Sequence, residues 1–115
     1  MVRLRQGKYA QSITVLSEAI AVEPDNALAQ FNLGAALMFV GKLDEAESAL
    51  SRAYAIKGAQ MPGAQLLLGQ LYHQKQDYEK AIDAFTKYLR DLPDAPNAAQ
   101  VKESIRRLNE ALNKK

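Results

Sequence analysis

The chain has no cysteine and no tryptophan, one histidine, four prolines and six glycines. Without cysteine there is neither a disulfide nor a thiolate zinc site, and the cellular compartment stays open. A lone histidine, His73, cannot by itself build a metal site or a catalytic triad. The glycines are scattered, so no phosphate-cradling loop is formed. Fifteen Lys and Arg face thirteen Asp and Glu, and a net charge of +2 falls far short of a nucleic-acid footprint. Basic residues do gather near the ends (Arg3, Arg5, Lys8, then Lys102, Arg106, Arg107, Lys114, Lys115). Glu103 and Glu110 interrupt the second group, which reads as a solvated helix face. No stretch approaches the roughly 20 apolar residues of a membrane span. The opening residues lack the apolar core of a secretory signal. Nothing in the composition calls for a cofactor.

What is present is helical. Hydrophobic residues make up 48% of the chain, β-branched residues are sparse, and Ala, Leu, Gln, Glu and Lys abound. The stretch from Ala27 to Ile56 organises the rest. Leu28, Phe31, Leu33, Leu37, Met38 and Val40 carry a first helix, and Gly41-Lys42 is its turn. Leu43, Ala46, Ala49, Leu50, Ala53 and Tyr54 lie on one face of a second helix. Gly34 costs about 1 kcal/mol against Ala inside a helix. It therefore marks a close crossing, with Ala46 as the expected opposite.

Before this unit, Lys8–Val22 repeats its second helix, with Tyr9, Ser12, Ile13, Leu16, Ala19 and Ile20 on one face. Gly7 stands where Gly41 stands later, so residues 1–6 read as the last turn of a preceding helix. Asp25 or Asn26 caps the helix that begins at Ala27. After the unit comes a third pair. Leu66, Leu67, Leu68, Leu71 and Tyr72 mark its first helix, and Tyr78, Ala81, Ile82, Phe85, Tyr88 and Leu89 its second, with Asp77 as cap. A last helix is expected from an Asp94 cap, with Pro96 in its first turn. Val101, Ile105, Leu108 and Leu112 form its single apolar stripe.

The spacing unifies these pieces. Ser12, Ala46 and Ala81 lie 34 and then 35 residues apart, and Gly34 and Gly69 lie 35 apart. A helix-turn-helix unit at this period signals a solenoid. The third unit carries Leu68-Gly69, Tyr72, Ala81, Phe85 and Pro93, and the central one Leu33-Gly34, Leu37, Ala46, Leu50 and Gly58. With these residues the chain resembles the tetratricopeptide repeat family. It departs from the pattern at Gln30 and Gln65, where an aromatic is usual, and at Tyr88, where Ala19 and Ala53 are small. The expected fold is all-α, a right-handed solenoid of antiparallel pairs. Its parts are a partial repeat over 1–26, complete repeats over 27–60 and 61–94, and a capping helix over 95–113.

The resemblance implies a non-enzymatic scaffold whose first helices line a concave groove for a peptide or helix of a partner protein. Projected onto this chain, the groove is Leu28, Phe31, Asn32, Ala35, Met38 and Phe39, followed by Leu66, Leu67, Gln70, His73 and Gln74. Some members grip acidic C-terminal tails with a clamp of Lys, Asn and Arg. Here only Asn32 falls on a clamp position, and the partner positions on the next pair are Gly63 and Leu67, which carry no charge. Asp44, Glu45 and Glu47 are read as acids suited to a helix N-terminus rather than as a catalytic pair. An alternative is self-assembly. Tyr9, Ile13, Leu16 and Ile20 lack a covering helix, so the chain is expected to be a piece of a longer array that forms homo-oligomers through that end.

Overall fold

The computed structural model describes residues 2–114, with side chains over 7–114. Among the described residues there are six α-helices, one 3-10 turn and no strand. The helices are α1 (Val2–Val22), α2 (Ala27–Phe39), α3 (Leu43–Lys57), α4 (Pro62–Gln74), α5 (Tyr78–Asp91) and α6 (Ala98–Asn113). They form two compact units, residues 1–58 with α1–α3 and residues 59–115 with α4–α6.

In the first unit, α1 runs unbroken through Gly7, and Gly7 has ordinary helical backbone. The expected turn there is absent, because Gly7 adopts no left-handed conformation of the kind that ends α2 at Gly41 (φ 83°). Asn26 caps α2, its Oδ1 accepting from the Ala29 N–H at 3.0 Å. Gln30, at the family's aromatic position, is buried and donates from Nε2 to the Pro24 carbonyl at 3.5 Å. The close crossing of α2 on α3 falls at Gly34. A Cβ built there would lie 2.6 Å from Leu50 Cγ and 3.4 Å from the Ala46 carbonyl oxygen. The glycine thus makes room for the Leu50 side chain, while fully buried Ala46 contributes its backbone. Ala46 lies at the crossing as expected, and the side chain nearest the glycine is that of Leu50.

The second unit repeats the arrangement 35 residues later, and Gly69 meets the Phe85 ring as Gly34 meets Leu50. The turns match as well. Lys42 and Gly41 donate to the Leu37 and Met38 carbonyls after α2. Asp77 and Gln76 donate to those of Tyr72 and His73 after α4. Such a paired cap requires a left-handed residue, and in the second unit that residue is Gln76, with φ 61°. A non-glycine side chain in this conformation costs roughly 1–2 kcal/mol. Gln76→Gly is therefore expected to stabilise the chain by about 0.5–1 kcal/mol after glycine's own entropic cost. A urea melt with an unchanged or lowered midpoint would refute that reading of the turn.

Asp77 caps α5 as expected, accepting from the Lys80 N–H. The cap of α6 differs from expectation: Asn97 occupies the N-cap instead of Asp94. Its side chain makes no capping bond, and its Oδ1 accepts from the Tyr88 hydroxyl at 2.8 Å. Buried Tyr88 thereby ties α5 to the connection before α6, which is why a large residue stands where α3 has Ala53. Phe85, Tyr88, Ala95, Val101 and Leu108 form the core here. The outer side of α6 carries Arg106 between Glu103 and Glu110, with Arg107 Nε 3.3 Å from Glu103. The Arg106 hydrogen bond holds the Glu103 carboxyl down to about 2. Polar outside and apolar inside, α6 is built as a cover for α5.

Candidate partner-binding surface

Helix α2 buries Ala27, Ala29, Gln30, Gly34, Ala36 and Leu37. The opposite stripe carries Leu28, Asn32, Ala35 and Phe39 at i, i+4, i+7 and i+11, with Ala35 half-buried and the other three exposed. Leu28 is 61% exposed and Phe39 67%. At 1.5 Å per residue the two apolar ends lie about 16 Å apart along the axis. Phe39 is nonetheless held. Its ring stacks on that of Tyr9 from α1, with centroids 4.7 Å apart and planes inclined by 2°. Phe31 and Met38 are half-buried on the neighbouring flank. The stripe has no charged side chain, so its chemistry is two apolar anchors with an amide, Asn32, between them.

The α4 residues behave differently. Leu66 packs against the Phe85–Tyr88 core, and Leu67 is half-buried. Gln70, His73 and Gln74 are exposed. His73 lies edge-on to Tyr78 at 5.9 Å. Among the described residues, no group of His, Asp and Glu could hold a metal ion, and no helix is long and apolar enough to cross a membrane.

On α1, Tyr9, Ile13, Leu16 and Ile20 are all half-buried. The more exposed apolar residues are Val15 (63%) and Val22 (83%), which sequence reasoning passed over. Val15 lines an open groove of about 660 Å³ together with Lys8, Tyr9, Gln11, Ser12, Leu16, Asn32 and Ala36. The register could have revealed it, since Val15 stands where Ala49 and Ala84 stand in α3 and α5. A second open cleft of about 520 Å³ lies among α1, α2 and α3 and takes in Gln30, Asp44, Glu45 and Arg52.

Family models described as TPR repeat and Tetratricopeptide repeat match residues 2–39 and 36–96. The Xenopus laevis RNA polymerase II-associated protein 3 is 31% identical over 114 residues, a match covering 94% of this chain and 16% of that protein. The chain thus spans less than a fifth of that relative's length. The crystal structure of MamA aligns over 88% of this chain and 57% of its own, with 26% identity and a TM-score of 0.81. The first TPR of Spaghetti (RPAP3), bound to the HSP90 peptide SRMEEVD, aligns over 96% of this chain and 84% of its own. Its TM-score is 0.83 at 23% identity, a likeness of fold. With its all-α helix pairs, its 35-residue register of Gly34 and Gly69, and a family match over more than half its length, the chain belongs to the tetratricopeptide repeat family.

Proposed function

We propose that this chain is a non-enzymatic interaction module that binds an apolar or amphipathic segment of a partner protein along the open stripe of α2. The observation that carries the reading is the pair Leu28 and Phe39, exposed on one side of a helix whose other side is core. Large apolar residues left open at fixed separation on a rigid element suit hot-spot recognition. The Tyr9 stack supports it by fixing one anchor beforehand. A segment with two large apolar residues spaced to span about 16 Å fits, either five extended residues or three helical turns. Asn32 is placed to bond the segment's backbone between them. The half-buried Phe31, Ala35 and Met38 complete the α2 stripe, and in the second unit Leu66, Leu67, Gln70, His73 and Gln74 are proposed as a binding surface of α4 in its own right.

Spaghetti's first repeat domain holds a peptide with an acidic end. Here Gly63 and Leu67 stand at two of the clamp positions and bring no cation, so an apolar ligand is favoured over an acidic tail. The test is selection from a randomised peptide display library on the immobilised chain. The enriched peptide is then titrated, with SRMEEVD as comparison. Enriched peptides should carry paired large apolar residues and bind at least tenfold more tightly than SRMEEVD. Phe39→Ala should weaken them tenfold or more, and added salt should change little. Enrichment of acidic tails, with steep salt dependence and indifference to Phe39→Ala, would overturn the proposal.

A further inference from the structure

The register of the chain shows what the exposed flank of α1 is built for. Ser12, Val15, Leu16 and Ala19 correspond to Ala46, Ala49, Leu50 and Ala53 of α3 and to Ala81, Ala84, Phe85 and Tyr88 of α5. In α3 and α5 all of these are buried, at 0–6% exposure. In each case the first helix of the pair is laid across the face through a glycine. Its antiparallel direction follows from the short turn. In α1 the same face is open: Ser12 is exposed, Val15 is 63% exposed, and Leu16 and Ala19 are only half-buried. The molecule therefore displays twice the kind of element that covers this face, an antiparallel helix bringing a small residue to the Leu16 position.

We infer that the element is α1 of a second copy, in a twofold antiparallel pair whose axis passes beside Val15. Three features of this face are self-complementary. Leu16 of one copy enters between Ser12 and Ala19 of the other, small residues one turn away on either side. Val22, 83% exposed, comes down on the partner's Tyr9 end. Lys8 near one end of the face meets Glu23 at the other, both of them exposed. A parallel pair would set Lys8 against Lys8, whereas the antiparallel pair joins opposite charges at both ends. It also places each Lys8 near the negative end of the other helix. Valine at position 15, in place of the alanine of α3 and α5, excludes the very close crossing made there and suits a pair of α1 helices somewhat farther apart. A twofold contact fills both open faces at once and closes.

The test uses the chain as it stands, with far-UV circular dichroism confirming that each variant keeps its helix content. Sedimentation equilibrium from micromolar to millimolar concentration should show a monomer–dimer equilibrium, and Val15→Glu should weaken it at least tenfold. Lys8→Glu should weaken it several-fold, and Lys8→Glu combined with Glu23→Lys should restore it. Because the chain has no cysteine, Lys8→Cys mixed with Glu23→Cys should form an interchain disulfide, while either variant alone should not. A monomer throughout, a dimer indifferent to Val15→Glu, or failure of the double charge reversal to rescue would overturn the inference. In the monomeric case the face is left to a helix from outside these residues. The two proposals are separated by Leu28→Ala, at the far end of the α2 stripe from Tyr9, which should weaken the peptide and leave self-association unchanged.

Discussion

Replacing Gly69 by leucine is expected to cost the second helix pair roughly 1–3 kcal/mol or more, the scale of an overpacked core. A Cβ at this position would already stand 2.5 Å from Phe85 Cδ1 and Cε1. Helix propensity works in the opposite direction, since any ordinary side chain gains up to about 1 kcal/mol over glycine in a helix interior. The clash decides the sign because Phe85 is 5% exposed and closely packed, so its ring has nowhere to retreat. Gly34→Leu should behave alike against Leu50. A second substitution separates packing from propensity: Gly69→Ala should destabilise the parent chain but cost much less in a Phe85→Ala background, where the atoms beyond Cβ that would meet it are gone. Urea melts read both. If Gly69→Leu melts with the parent, the assigned crossing of α4 on α5 is wrong.

Removing the chain from Pro96 onward is the other large effect. Phe85 and Tyr88 are 5% and 6% exposed, in a core completed by Val101 and Leu108 from α6. Uncovering two large side chains is worth about 3–6 kcal/mol, a large part of an ordinary domain's stability. The Tyr88 hydroxyl also loses Asn97. The truncated chain should therefore melt far earlier and aggregate, because a terminal repeat needs a polar outer face. Light scattering and thermal melts measure both consequences. A truncated chain that stays soluble and melts with the parent would remove the capping role from α6.

Most of the helix pattern was legible because its causes are local. Apolar spacing, the Gly41 turn and the Asn26 and Asp77 caps each act within a few residues, and they put the helices in place. The period of Gly34 and Gly69 was legible too, because close crossings leave glycine in helices where its propensity argues against it. What escaped was set by neighbours in space. Gly34 and Gly69 make room for Leu50 and Phe85, and only a three-dimensional arrangement tells these from Ala46 and Ala81. Gly7 resembled Gly41, yet an isolated glycine does not end a helix whose flanking residues all favour continuing it. Asp94 has the chemistry of a cap, yet the N-cap of α6 is Asn97, whose Oδ1 accepts from the Tyr88 hydroxyl nine residues back. Of the candidate surface, the exposed ends Leu28 and Phe39 are among the residues that the repeat pattern projects into the groove. Their separation from half-buried Phe31 and Met38 depends on which side of α2 meets α1 and α3.

Recognition of an apolar segment by α2 is proposed to run along the stripe from Leu28 to Phe39. Its most direct measurement is a two-dimensional 1H–15N NMR titration of the labelled chain with the apolar peptide enriched by display. The expected result is a set of saturating shifts concentrated at Leu28, Asn32, Ala35 and Phe39, with Tyr9 following Phe39 through the ring stack. Residues on the outer side of α6, such as Arg106 and Glu110, should stay still. Shifts that leave residues 28–39 unmoved while the peptide saturates elsewhere would contradict the account.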